Sequence, residues 1–263
     1  MHLIEDTSHP VQAFGVVSAR RQLAGGLFEL QVTVPEIASL SRPGQFVHIT
    51  CGDANFLRRP ISICDAADGV LRLVFQQKGE GTAWLAARTE GDPLDLLGPL
   101  GRGFDLSALG PRPVFVGGGI GVPPLLLAMK QAKAQGMSPA AILGFRDRDA
   151  VILESDFRAL GETLVATDDG SYGTHGFVTA LLEARAGSFT SVCACGPRGM
   201  LRAVAGIAET HGLPCQVSME ERMGCGIGAC LVCACALKGA DGGTRYGHVC
   251  KDGPVFDAKE VEW

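Results

Sequence analysis

A surplus of positive charge is missing from this chain. Its formal net charge is -5, and a protein whose main partner is nucleic acid needs a basic face for the phosphates. The opening Met1-His2-Leu3-Ile4-Glu5-Asp6 has neither a basic stretch nor an apolar run behind it, so no secretory signal is expected. A long hydrophobic run is absent too. The longest uncharged stretch, residues 113–129, holds four glycines and three prolines. It reads as a buried strand, a loop and a helix start, not as a membrane span. No internal repeat is visible, and the 36 glycines follow no fixed period, which excludes collagen-like and low-complexity classes. The expectation is a soluble, cytoplasmic protein without nucleic-acid or membrane partners.

What is there is enough apolar material for real cores: 46% of 263 residues. That length holds one large domain or two ordinary ones, with room for a small module. Residues 11–17, 27–34, 46–50, 61–65 and 71–76 are apolar or alternating and are separated by turn residues such as Arg42-Pro43-Gly44 and Asp68-Gly69. This spacing predicts an antiparallel barrel, with one short helix at 81–88. From Pro113 the pattern changes. Apolar runs at 114–116, 140–145, 164–167, 192–194 and 216–219 alternate with helical stretches at 125–134, 176–184 and 198–211. Strands alternating with helices predict a parallel α/β sheet. The expected fold is therefore a β barrel at 1–108, a nucleotide-binding α/β domain at 109–219 and a small C-terminal module at 220–263.

Of the ten cysteines, five fall between Cys225 and Cys250. A secreted disulfide framework usually sits in a short chain; clustering here points to metal. Cys225-x4-Cys230-x2-Cys233, followed after sixteen residues by Cys250, is the spacing of plant-type [2Fe–2S] proteins. Three thiolates converge from one tight loop and the fourth comes from a distant segment. Between the first two lie Gly226, Ile227, Gly228 and Ala229, whose small size lets backbone N–H groups turn toward anionic sulfurs. The alternative is a structural zinc site, which usually shows two separated short pairs. Cys235 reads as a buried small hydrophobe. His248 has no second histidine beside it to make a Rieske centre.

Arg59-Pro60-Ile61-Ser62 offers a guanidinium fork for a pyrophosphate and a hydroxyl for a flavin edge. Lys78-Gly79-Glu80-Gly81-Thr82 offers N–H groups at a helix start. Either piece alone reads as an ordinary turn; their order ahead of a nucleotide domain gives them weight. The run from Val114 through Gly117, Gly118, Gly119 and Gly121 to Pro124 is a strand, a glycine turn and a helix start. It is not a strict G-x-G-x-x-G, yet glycines there admit a pyrophosphate at a helix N-terminus. Cys195-Gly196-Pro197 closes a later strand at the carboxyl edge, where open α/β sheets bind ligands. Asp168-Asp169-Gly170-Ser171 is either a ribose contact or a solvated turn. Arg146 and Arg148 follow a strand and stand as candidates for a 2′-phosphate, or as solvated charges.

Arg59-Pro60-Ile61-Ser62, Gly117-Gly118-Gly119-Ile120-Gly121 and Cys195-Gly196-Pro197 together resemble the ferredoxin–NADP reductase superfamily. With Glu221-Arg222-Met223-Gly224-Cys225-Gly226-Ile227-Gly228-Ala229-Cys230 and Val249-Cys250-Lys251-Asp252-Gly253-Pro254-Val255-Phe256, the chain is similar to the electron-transfer subunits of class B dihydroorotate dehydrogenase. The resemblance implies FAD on Arg59, Pro60, Ile61, Ser62, Val74, Phe75, Gln76, Gly81 and Thr82, and NAD(H) as substrate on the glycine turn and Cys195-Gly196-Pro197. It implies a [2Fe–2S] cluster on Cys225, Cys230, Cys233 and Cys250. The family often carries an aromatic–basic pair where this chain has Phe75-Gln76. The implied partner is an FMN-containing catalytic subunit in a heterotetramer of two plus two, serving pyrimidine biosynthesis. Hydride transfer between nicotinamide and flavin asks for no acid–base residue, so no catalytic side chain is expected; Cys195 is either a wall residue or structural. Plant-type clusters sit near about −400 mV, and N–H groups of 226–230 are expected to raise that value. Two other readings remain: the reductase subunit of an NAD(P)H–ferredoxin oxidoreductase, and a non-catalytic zinc-binding scaffold.

Overall fold

A computed structural model describes residues 10–240 and 242–263 of the chain. Six strands, β1 (Val11–Ala24), β2 (Leu27–Thr33), β3 (Phe46–Ile49), β4 (Arg59–Ala67), β5 (Val70–Gln76) and β6 (Pro93–Leu100), close a barrel in the order β1-β2-β5-β4-β3-β6. Alternation decides the interior: Val47 and Ile49 of β3, Ile61 and Ile63 of β4, and Leu94 and Leu96 of β6 all point into one core. A short helix α1 (Pro35–Ala38) follows β2. Helix α2 (Glu80–Ala86) follows β5 and adds Leu85 to the barrel core.

The barrel domain departs from the sequence pattern in two places. Strand β1 runs on past residue 17 through the polar stretch to Ala24, because the Gly25-Gly26 turn lets Ala24 pair with Leu27. Strand β6 had no strand signature, since it starts on Pro93 and carries Pro99 near its end. It is nevertheless the strand that closes the barrel, pairing with both β1 and β3.

The second sheet holds β7 (Pro113–Gly118), β8 (Ala140–Phe145), β9 (Glu162–Thr167), β10 (Thr174–His175), β11 (Ser191–Cys195), β12 (Cys215–Ser218) and β15 (Val255–Asp257), in the order β10-β9-β8-β7-β11-β12-β15. All pairs are parallel except β12–β15. Helices α3 (Pro124–Ala134) and α4 (Glu154–Leu160) bury Leu125, Met129 and Phe157 against one face. Helices α5 (Val178–Arg185) and α6 (Arg198–Thr210) bury Leu182, Leu201 and Val204 against the other. The chain reverses direction across the sheet between β7 and β11. Their carboxyl ends are thus the switch point at which open sheets of this kind bind ligands.

The tail does not stand apart. Strands β13 (Ala234–Lys238) and β14 (Thr244–His248) form a hairpin, and β15 becomes the antiparallel edge of the large sheet. Arg102, just after β6, donates its N–H to Gly253 O at 2.5 Å, and Met219 N–H donates to Pro254 O at 2.8 Å. Barrel, sheet and cysteine loop therefore meet at one seam. Among the described residues no helix is long and apolar enough to cross a membrane.

Ion pairs fasten the barrel to the helices. Glu29 is buried, with Arg72 Nε at 2.6 Å and Arg21 Nη2 at 2.9 Å, and Arg72 reaches on to Asp156 of α4 at 2.5 Å. Lys130 of α3 holds Asp65 of β4 at 2.8 Å. Removing one partner of a buried pair leaves the other charge uncompensated. Glu29→Ala is therefore expected to destabilise the fold by about 3 kcal/mol in chemical denaturation. Arg21→Ala removes a partner that is 59% exposed and should cost less than about 1 kcal/mol.

Candidate functional site

Strand β4 lays Pro60, Ile61 and Ser62 along the rim of the barrel, and β5 brings Val74, Phe75 and Gln76 beside them. Across from these stand Gly118 at the end of β7 with Gly119 and Gly121 after it, and Cys195 at the end of β11 with Gly196 and Pro197 after it. Together they enclose a cleft of about 970 Å³ between barrel and sheet. Thr82 also lines it; its Oγ1 accepts from the N–H groups of Lys78 (2.8 Å) and Gly79 (3.1 Å), which fixes the start of α2.

Three expected residues stand behind the cleft wall. Gly117 packs on Val122, with a Cβ there only 2.8 Å from its Cγ2. Gly81 packs on Arg59, where a Cβ would lie 2.3 Å from Nε. Arg59 itself lines the neighbouring cavity and donates to Leu57 O and to Asn55 Oδ1. Gly121 explains the imperfect glycine pattern. A Cβ there would stand 2.4 Å from Cys195 O, so this glycine is fixed by the approach of the two ligand-edge loops.

Burial pushes the Cys195 thiol up to about 12 despite its hydrogen bond to Ser218. It stays a neutral thiol, a wall and not a nucleophile. The two acidic residues after β9 divide. Asp168 lines the cleft. Asp169 closes its own turn, accepting from Ser171 N at 2.9 Å and from Ser171 Oγ at 2.7 Å. The arginines after β8 divide in the same way. Arg146 lines the cleft and pairs with Asp147 at 2.8 Å, whereas Arg148 stacks its guanidinium on Tyr172. Sequence reasoning missed Met219, Met223 and Pro254, which bring the tail to the cleft wall. Met223 and Pro254 lie within the two cysteine motifs of the tail, but nothing in those motifs says that they reach the cleft; the seam makes them neighbours of it.

The four expected cysteines come together at that seam. Cys225 Sγ accepts from the amides of Ala229 (3.2 Å), Cys230 (3.3 Å) and Ile227 (3.5 Å). Cys250 Sγ accepts from Gly228 N at 3.2 Å, Cys230 Sγ from Cys225 N and Cys233 Sγ from Cys250 N, both at 3.4 Å. The sulfurs neighbour one another as two pairs, Cys225 with Cys230 and Cys233 with Cys250. Two pairs suit a two-iron group, each iron taking two thiolates. Among the described residues no three metal-ligating side chains stand close enough to hold one ion. Burial raises the Cys225 thiol, but its hydrogen bonds outweigh that and bring it down to about 6. Burial, then the adjacent Cys233 sulfur, push Cys250 up to about 12. Cys235 lies in the apolar core with Leu237 and Val249. His248 is turned to Asp252, 3.5 Å away.

Cys225 and Cys230 open onto a second cavity of about 1100 Å³, whose other wall includes Leu57, Arg59 and Pro60. One end of β4 thus serves the cleft and the cysteine loop alike. A flavin-type barrel, a nucleotide-type sheet sharing one cleft, and an amide-lined cysteine loop beside it define an oxidoreductase with the ferredoxin reductase-like fold and an iron–sulfur tail. A solved structure described as an NADH-dependent reduced ferredoxin–NADP oxidoreductase, studied for flavin-based electron bifurcation, matches with TM-score 0.85. It is 29% identical and covers 95% of this chain and 90% of its own. The profile of the iron–sulfur cluster binding domain of dihydroorotate dehydrogenase B matches residues 220–262. The dihydroorotate dehydrogenase B (NAD(+)) electron transfer subunit of Bacillus caldolyticus is 46% identical over 93% of this chain and 96% of its own length. The one of Bacillus cereus is 43% identical over 94% and 96%. The chain belongs to the family of dihydroorotate dehydrogenase B electron transfer subunits, and such a subunit works with a catalytic partner.

Proposed function

We propose that this chain passes electrons between NAD(H) in the barrel–sheet cleft and an FMN-containing dihydroorotate dehydrogenase catalytic subunit docked over the cysteine loop. The observation that carries this reading is the second cavity, where strand β4 and the cysteine pair Cys225/Cys230 face each other. When bound, the FAD exchanges a hydride with nicotinamide and single electrons with a cluster that takes one at a time. Every other part is the work of side chains and amides already described.

Arg59 holds the FAD pyrophosphate. Pro60, Ile61, Ser62, Val74, Phe75 and Gln76 form the wall for its ring, with Gly81 and Thr82 setting the turn beside Arg59. Gly118, Gly119 and Gly121 would let the nucleotide approach the α3 end of the sheet, with Gly117 packed on Val122 to set that turn, while Cys195, Gly196 and Pro197 would wall the nicotinamide from the other side. The relatives' printed name favours NAD over NADP, and in the cleft Asp168 repels a 2′-phosphate while Arg146 is already paired with Asp147. Cys225, Cys230, Cys233 and Cys250 would hold the cluster, and the amides of 227–230, already directed at cysteine sulfurs, would favour its reduced form. Among the described residues no cysteine is disulfide-bonded, which suits a reducing cytoplasm.

Around the loop the surface is apolar. Ile227, Leu231 and Val232 are more than half exposed, as is Leu57 across the cavity. Such a patch, beside a redox centre, suits a permanent partner. The test is reconstitution with the FMN subunit, dihydroorotate and NAD+. NADH should form only with both chains present, in a complex of two plus two. Leu231→Asp with Val232→Asp should keep flavin and iron yet lower partner-linked NADH formation more than about tenfold, since burying unpaired charge costs well over 1.4 kcal/mol. Undiminished coupling in that variant would move the docking face elsewhere.

A further inference from the structure

Strand β3 sends Val47 and Ile49 into the barrel core and turns Phe46 and His48 the other way. His48 is 0% exposed, and neither ring nitrogen has a hydrogen-bond partner. Two such atoms in one buried ring call for a cause, because a buried polar atom without a partner destabilises the fold. The ring is not idle filler. A Cβ on Gly226 would lie 2.7, 2.8 and 2.9 Å from Cε1, Nδ1 and Nε2 of His48. The N–C–N edge is therefore pressed on the residue that follows Cys225, and Gly226, at φ +75°, is held there by its backbone as well. Arg58 does not satisfy the ring. It donates to the His48 carbonyl and is paired with Asp95 at 2.7 Å.

An imidazole carries at least one ring N–H, whether neutral or protonated, and His48 has no acceptor for it among the described residues. Gly226 directly follows Cys225, the first of the four cysteines assigned to the cluster, and the sulfurs of such a centre would be hydrogen-bond acceptors. The geometry points to His48 as a positioning residue for that centre: its ring N–H donates across Gly226 to a sulfur of the bound cluster, pinning the loop to the barrel and raising the cluster's potential. The inference rests on the cluster assignment above and adds a donor from the flavin-binding barrel to those that the loop supplies itself. Hydrogen bonds to cluster sulfurs stabilise the extra electron of the reduced form.

The experiment uses the anaerobically purified full chain. In EPR-monitored redox titration, His48→Phe should lower the equilibrium constant for cluster reduction at least tenfold, about 59 mV for one electron. His48→Gln, which keeps an N–H donor, should recover most of that shift, and FAD content should be unchanged in both. Pulsed EPR of the reduced wild-type chain carrying 15N-histidine needs no change at position 48. A nitrogen coupling is expected, and it should persist when His248 is replaced by glutamine. Iron present, no such coupling, and an unshifted potential in His48→Phe would overturn the role of His48 alone. If His48→Phe fails to take up iron, the labelled wild-type spectrum decides by itself. A wild-type chain that holds no iron would remove the cluster assignment, and this inference with it.

Discussion

Cys225→Ser is expected to strip the iron from this protein and leave its flavin in place. Iron should fall from two per chain to background, with loss of the iron–sulfur bands. NADH oxidation by an artificial dye acting at the flavin should continue within about twofold, because a ligand outside the cleft changes no contact to nicotinamide. The reason lies in the loop. Cys225 Sγ gathers three amide N–H groups and is held down to about 6, so it is already the thiolate that a metal requires. A serine hydroxyl is shorter, harder and protonated at neutral pH, and the amides that fit a sulfur would close on it instead. Transfer to the catalytic partner should drop to background. Cys235→Ser makes the comparison sharp. That residue lies in the core of the tail, so the change should cost stability, roughly 1–3 kcal/mol for a buried hydroxyl, while both irons stay. Full iron content in Cys225→Ser would take this residue out of the ligand set.

The contrast between those two cysteines shows what a linear pattern carries. Cys225, Cys230 and Cys233 are legible because their chemistry is local: one loop, fixed spacing, small residues between. The parallel sheet was legible for a similar reason, as apolar runs of strand length alternated with helical ones. Strand β6 was hidden, since Pro93 and Pro99 contradict a strand until β1 and β3 are there to flank it. Helix α4 was hidden because it is short, buries only Phe157 and starts after Leu153 in the left-handed region. Strand β15 is three residues that become a strand only because β12 has a free edge. The glycine turn was half legible. Its departure from the dinucleotide fingerprint is explained by Gly121 against the Cys195 backbone, a contact between loops far apart in sequence. The placing of His48 under Gly226 is of that second kind. No motif reports it, because it depends on how the barrel and the tail close on each other.

Arg59 joins both kinds, and its replacement is expected to separate flavin binding from iron binding. The residue opens β4 at the boundary between cleft and second cavity, and Gly81 of α2 presses on its stem. Its guanidinium is parked on Leu57 O and Asn55 Oδ1, neutral acceptors that a diphosphate readily displaces. A charged hydrogen bond is worth about 1.5–3 kcal/mol, so Arg59→Ala should weaken FAD binding roughly tenfold to a hundredfold. Fluorescence titration of FAD into the flavin-free chain measures this directly. Arg59→Lys should restore only part of the affinity, because an ammonium lacks the planar fork that grips two phosphate oxygens. Gly81→Ala should act in the same direction, since its Cβ would meet Nε at 2.3 Å and drive the side chain off its line. Iron content should stay at the wild-type level in all three, as the four sulfurs draw their amide hydrogen bonds from the tail and not from Arg59. Unchanged FAD affinity in Arg59→Ala would place the diphosphate elsewhere on the barrel rim and free this arginine for the partner facing the cysteine loop.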